Sequence, residues 1–208
     1  MWSWIIVACT MLLLMISCGS SQPLPTAQDK PNQVNKQAAG SVSPIQRLRM
    51  QAERGNVEAQ FALAQAYDRG RDVPKDKTEA VRWYRLEAMQ GDAVAQNALG
   101  DNYWEGTGVP KDDTEAARWW RLAAAQGFAP AQHSLGKLLS GGGQGVRSDK
   151  IQAYMWLALS AAQGDEEAGR QGEILSKQLK PAEMTNVKKL VKQWKPSRAS
   201  VANNKIAQ

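Results

Sequence analysis

Ala95-Gln96-Asn97-Ala98-Leu99-Gly100-Asp101-Asn102-Tyr103-Trp104-Glu105-Gly106-Thr107-Gly108-Val109-Pro110-Lys111-Asp112 is one copy of a unit that this chain writes several times. Its lead-in, Gly91-Asp92-Ala93-Val94-Ala95-Gln96, lies 36 residues after Gly55-Asn56-Val57-Glu58-Ala59-Gln60 and 36 before Gly127-Phe128-Ala129-Pro130-Ala131-Gln132. A fourth start follows at Gly164-Asp165. A unit this short cannot bury its own apolar face, so copies must stack on one another into a solenoid.

Inside each unit the spacing predicts two helices. The first carries Ala59, Leu63, Ala66 and Tyr67, then Ala95, Leu99 and Tyr103, then Ala131, Leu135 and Leu139. Steps of three and four place these on one stripe. The second carries Ala80, Trp83 and Ala88, then Ala116, Trp119 and Ala124, then Ala153, Trp156 and Ala161. Both stripes read as core. Between them, Gly106-Thr107-Gly108 supplies the left-handed backbone angles that end the first helix, and Asp72 stands in for the second glycine in unit one. Unit three has Gly141-Gly142-Gly143-Gln144-Gly145, one residue longer, which reads as the softest point of the array. Asp76 with Glu79, Asp112 with Glu115 and Asp149 with Gln152 predict reciprocal capping boxes at each second helix.

The pattern from Ala95 to Trp119 resembles the Sel1-like repeat, a relative of the tetratricopeptide repeat, and the last segment is similar to that family's C-terminal cap. The resemblance implies an all-α solenoid of helix-turn-helix units with an adaptor role. Departures from the pattern are Ala64 for Gly, Asp72 for Gly, Leu139 for Tyr, and Glu87 where the other units carry a small residue. The expected layout has units at about 55–90, 91–126 and 127–163, with a partial one at 164–180. Together with a short helix from 45 they make a solenoid over 45–180, followed by a capping helix at 181–195 and a disordered tail at 196–208.

The N-terminal end points to export. Residues 1–17 carry no charge and include an apolar run from Met11 to Ile16, which suits a signal peptide better than a permanent span. Met15-Ile16-Ser17-Cys18 resembles the bacterial lipobox, which implies cleavage before Cys18 and acylation of it. An uncut signal anchor is the other reading. Residues 18–44 are rich in Gln, Asn, Pro and Ala and read as a disordered tether, reaching roughly 25 to 30 Å for about 25 residues. Gly19 after the cysteine resembles the pattern of outer-membrane lipoproteins, and implies a protein facing the periplasm or the cell surface. Cys9 would leave with the signal, so the mature chain has no disulfide.

The net charge of +6 sits almost wholly after residue 176, where Lys177, Lys180, Lys188, Lys189, Lys192, Lys195, Arg198 and Lys205 face only Glu183. This end reads either as a solvated cap or as a patch for anionic lipid headgroups or cell-wall polymer. Nucleic acid is not an expected partner of an exported chain. One histidine, His133, and no paired cysteine argue against a metal site, and no nucleophile has a base in recognisable context. No cofactor and no catalytic set are expected.

Eight tryptophans are present, and most have structural readings. Trp83, Trp119 and Trp156 are in register as core, and Trp120, aligned with Tyr84 and Met155, reads as partly buried between units. Trp104 breaks the pattern, replacing Asp68 and Ser140. In tetratricopeptide-like solenoids the first helices line the concave side. Mapping that geometry here puts Phe61, Asn97 and His133 in one row, Gln65, Asp101 and Lys137 in a second, and Asp68, Trp104 and Ser140 in a third. These rows vary where the core does not. An exposed Trp104 beside Asn97 and Asp101 has the makeup of an interface anchor for a segment of another envelope protein. His133 itself reads as a lone surface residue.

Overall fold

The computed structural model describes residues 42–197. The expected signal sequence, Cys18, nearly all of the tether, and the tail beyond Ser197 lie outside the described residues.

The described chain is an all-α repeat solenoid. Its helices are α1 (Pro44–Glu53), α2 (Val57–Arg69), α3 (Lys77–Met89), α4 (Ala93–Glu105), α5 (Asp113–Ala125), α6 (Ala129–Gly141), α7 (Lys150–Ala161), α8 (Glu166–Ser176) and α9 (Pro181–Gln193). Each packs on its sequence neighbours through α8, and α9 returns to lie on α7. The first-helix leucines Leu63, Leu99 and Leu135 are fully buried, as are Ala80, Ala116 and Ala153 of the second helices. Burying one such leucine stabilises the fold by roughly 1.5 to 3 kcal/mol, so the repeated stripe supplies much of the cohesion.

Helix boundaries follow local chemistry. Asn56, Asp92 and Asp165 cap the first helices by accepting the backbone N–H of Ala59, Ala95 and Ala168. Asp76, Asp112 and Asp149 each accept two N–H groups at the start of a second helix. The reciprocal half of the expected capping boxes does not form. Glu79 instead pairs with Arg82 at 3.1 Å and Glu115 with Arg118 at 3.0 Å, because an arginine one turn on outcompetes a backbone N–H. Gly70 and Gly106 end α2 and α4 in the left-handed region, and Asp72 adopts φ 59° where unit two has Gly108.

Gln60, Gln96 and Gln132 are buried at the unit starts and hold neighbouring helices together. Each donates to a carbonyl at the end of the preceding helix, Ala52, Ala88 and Ala124 respectively, at 3.0 to 3.1 Å. Each also accepts from the glutamine at the end of its own unit's second helix: Gln90, Gln126 and Gln163, at 2.7 to 2.8 Å. A buried amide satisfied on both sides fixes the stacking register as well as the distance.

Three expectations change. Trp120 is fully buried, and its partner in unit three is Leu157, not Met155: Trp120 covers Gly100 just as Leu157 covers Gly136. Trp156 is only half-buried and is covered by Trp194, edge-on at 6.3 Å, because the last full unit has a cap in place of a successor. The long glycine turn is anchored. Gly143 and Val146 exchange two backbone hydrogen bonds, and the Gln144 N–H donates to Asp113 of the preceding unit at 2.8 Å.

Candidate functional site

The second row of candidate residues lines three successive recesses along the first helices. Gln65 borders one of about 410 Å³ with Ile45, Leu48 and Arg71. Asp101 shares one of about 200 Å³ with Asp68, Lys77 and Glu105, and Lys137 shares one of about 190 Å³ with Ser140, Gln171 and Ile174. The face therefore changes character along its length, from apolar beside α1, through acidic at α4, to apolar and basic between α6 and α8. Ile174 is 61% exposed there, the most exposed of the large apolar side chains described.

Trp104, beside Glu105 on α4, is half-buried, not freely exposed. Its ring leans on Trp120 at 5.9 Å, and the Lys111 ammonium stands 4.0 Å above it. Lys111 also donates to the Trp104 carbonyl at 2.8 Å and to Asp113 at 2.7 Å, so one cation fixes both the turn and the indole. Beneath, Asp101 accepts from the Trp120 indole N–H at 2.9 Å and from Asn97 at 2.9 Å. Burial pushes the Asp101 carboxyl up to about 6, against the Trp120 hydrogen bond that favours the ionised form. The neighbouring Glu105 adds to the upward shift.

The first row is tied more tightly to the scaffold than its variability suggested. Phe61 packs edge-on against Tyr84 at 5.9 Å. His133 is not a lone surface residue: its Nδ1 lies 2.8 Å from Asp165, whose same oxygen accepts from Ser160. Burial works against the Asp165 carboxylate, but the Ala168 N–H, the Ser160 hydroxyl and His133 outweigh it and hold its pKa below the usual range. Of the seven candidates, Lys137 alone is exposed; Phe61, Gln65, Asn97, Asp101, Trp104 and His133 are half-buried.

Sequence reasoning missed Lys111 above Trp104, since a cation seven residues along the chain reaches the ring only through the turn. It also passed over the glutamine network, whose signal was present in the 36-residue recurrence of both partners. Among the described residues no group of three or more His, Cys, Asp or Glu is placed to hold a metal, and no helix is long and apolar enough to cross a membrane.

The Sel1 repeat matches residues 57–92, 93–128 and 129–165, which join each first helix to its second across the glycine turns described above. The chain belongs to the Sel1 repeat family. It is similar to a Sel1 repeat protein from Oxalobacter formigenes, at 38% identity over 61% of this chain and 95% of that one, with a TM-score of 0.56. It is also similar to c5321, a protective antigen of uropathogenic Escherichia coli with the same repeat fold. That match has 28% identity and a TM-score of 0.56, and it covers 82% of this chain but only 45% of that one. No curated protein matches the chain. Sel1 repeat proteins generally mediate protein–protein interaction and are typically scaffolds without catalytic activity.

Proposed function

We propose that this Sel1 repeat chain is a non-enzymatic adaptor that holds a segment of another bacterial envelope protein along its first helices. The observation that carries the reading is the half-exposed Trp104, braced from below by Trp120 and from above by Lys111, with Asn97 and Asp101 beside it. A pre-positioned aromatic loses little rotamer freedom on binding, which is what an interface anchor requires. We further propose that Cys18 carries lipid, so that the solenoid works from the periplasmic or outer face of the outer membrane.

Crosslinking in intact cells tests the groove. Wild type is expected to capture one discrete envelope protein, with capture lost in Trp104→Ala and weakened in Lys137→Glu. Lys137 is exposed, so its substitution leaves the core intact and separates recognition from folding. Undiminished capture by both variants would remove the groove from the proposal. Labelled palmitate should enter the wild-type protein and fail to enter Cys18→Ser; equal labelling would dismiss the anchor.

A second reading, binding of cell-wall or other anionic polysaccharide, draws on Lys188, Lys189 and Lys192, all exposed on α9. Salt-sensitive sedimentation with insoluble wall that persists in Trp104→Ala would favour it.

A further inference from the structure

The same arginine recurs every 36 residues on α1, α3 and α5, as Arg49, Arg85 and Arg121, and its surroundings change at the last. Arg49 donates to the Tyr67 hydroxyl, and Arg85 donates to the Tyr103 hydroxyl at 2.7 Å. The corresponding residue in unit three is Leu139. The equivalence is structural: the capping aspartates Asp76, Asp112 and Asp149 donate their N–H to the carbonyls of Tyr67, Tyr103 and Leu139 in turn. Arg121 therefore has no phenol to donate to.

It opens instead onto a cleft of about 810 Å³ between α5, the start of α7 and the α8–α9 junction. Arg147 and Lys150 line the same cleft, and like Arg121 they make no ion pair or hydrogen bond through their side chains among the described residues. Lys180 adds a fourth positive charge at the rim. Two carboxylates are present, and both are engaged by backbone donors: Asp149 by Ile151 and Gln152, Glu183 by Lys180. Alongside the cations run the partly buried Val146, Ile151 and Leu179.

We infer that this cleft is a docking site for an acidic segment of a partner protein, one that alternates carboxylate with apolar side chains. Unneutralised cations beside an apolar wall match such a segment better than a uniformly hydrophilic polyanion, and the volume suits a few residues. Neither end of the chain supplies a segment of this composition: residues 1–41 contain one acid, Asp29, and residues 198–208 contain none. The site shares none of its cations with the first-helix groove, meeting its last recess only at Gln178, and is tested independently of it.

The test measures fluorescence anisotropy of a fluorescein-labelled peptide of alternating Asp and Leu with the full chain. Binding should be saturable and weaken with salt. Arg121→Gln should weaken it at least ~10-fold, about 1.4 kcal/mol. Leu139→Tyr, which restores the phenol and recaptures Arg121, should weaken it similarly, whereas Arg85→Gln should leave it unchanged. Arg121 is exposed, so its variant keeps the fold even if the tyrosine substitution does not. Equal affinity of Arg121→Gln and wild type, or equal binding of a peptide with Asn in place of Asp, would overturn the inference. So would tighter Arg121-dependent binding of a sulfated polysaccharide, which assigns the cleft to polymer. Concentration-dependent dimerisation lost in Arg121→Gln would overturn it in favour of a second copy.

Discussion

Units one and two are built on one plan and meet its demands with different side chains. Where unit one sets Ala64 against Tyr84, unit two sets Gly100 against Trp120, and all four positions are buried. The larger ring is matched by the smaller partner, so the pair conserves volume although neither member is the same. Gln60 with Gln90 and Gln96 with Gln126 show the opposite behaviour, with identical residues and nearly identical distances. Apolar packing constrains a sum of volumes, whereas a hydrogen bond between two buried amides constrains each atom. At Glu87 the units differ without compensation. Unit two has a fully buried Ala123 there, while Glu87 is buried with one oxygen lacking any partner among the described residues.

The largest effect should come from the shared glutamines. Gln96→Leu removes two buried hydrogen bonds, leaving the Ala88 carbonyl only the Gly91 N–H and Gln126 only the Gly91 carbonyl, and should cost roughly 2 to 3 kcal/mol in urea unfolding. A loss much below that would mean that volume, not hydrogen bonding, sets the register.

Next is the volume-matched pair. A Cβ on residue 100 would lie 2.5 Å from the Trp120 ring, so Gly100→Ala should cost about 2 kcal/mol. Adding Trp120→Tyr recreates the pair of unit one and should recover most of the loss, despite the lost indole donor to Asp101. Additive penalties in that cycle would contradict the compensation.

Glu87→Ala should give the smallest effect, and a stabilising one. Burial, then the charges of Asp92 and Glu58, push the Glu87 carboxyl up to about 7. A raised carboxyl pKa means that the folded state holds the proton more tightly than the unfolded chain. Its stability contribution is fully present below the ordinary carboxyl range and is lost as pH rises through about 7. The substitution should therefore gain roughly 1 to 2 kcal/mol at pH 8, part of the ionisation penalty being offset by lost methylene packing, and the gain should shrink by pH 5. Thermal melts at the two pH values measure it; a gain independent of pH would show that ionisation is not the cause.

Repeat length, helix pairing, the apolar stripes and the capping aspartates were all legible in the residue order, because each depends on neighbours within a turn or two of helix. Asp72 at a positive φ was legible for the same reason. The groove rows were legible as positions and not as surfaces. Asn97 and His133 vary freely in the alignment of units, yet Asn97 donates to Asp101 and His133 meets Asp165 across the unit boundary. Trp104 was legible as a break in the repeat and was expected to be exposed, but its depth depends on Trp120 and Lys111, one from the second helix and one from the turn.

Local spacing and backbone preference are properties of a short stretch, so the order of residues was sufficient to establish a helical solenoid, its period and the family it belongs to. Which side chains remain available to a partner depends on what another segment does to them in space. Arg85 and Arg121 are the same residue in the same frame, and a tyrosine reaching across from the following helix engages one, while its replacement by leucine leaves the other facing an open cleft. That distinction rests on distances of a few ångströms between helices, which no one-dimensional period encodes.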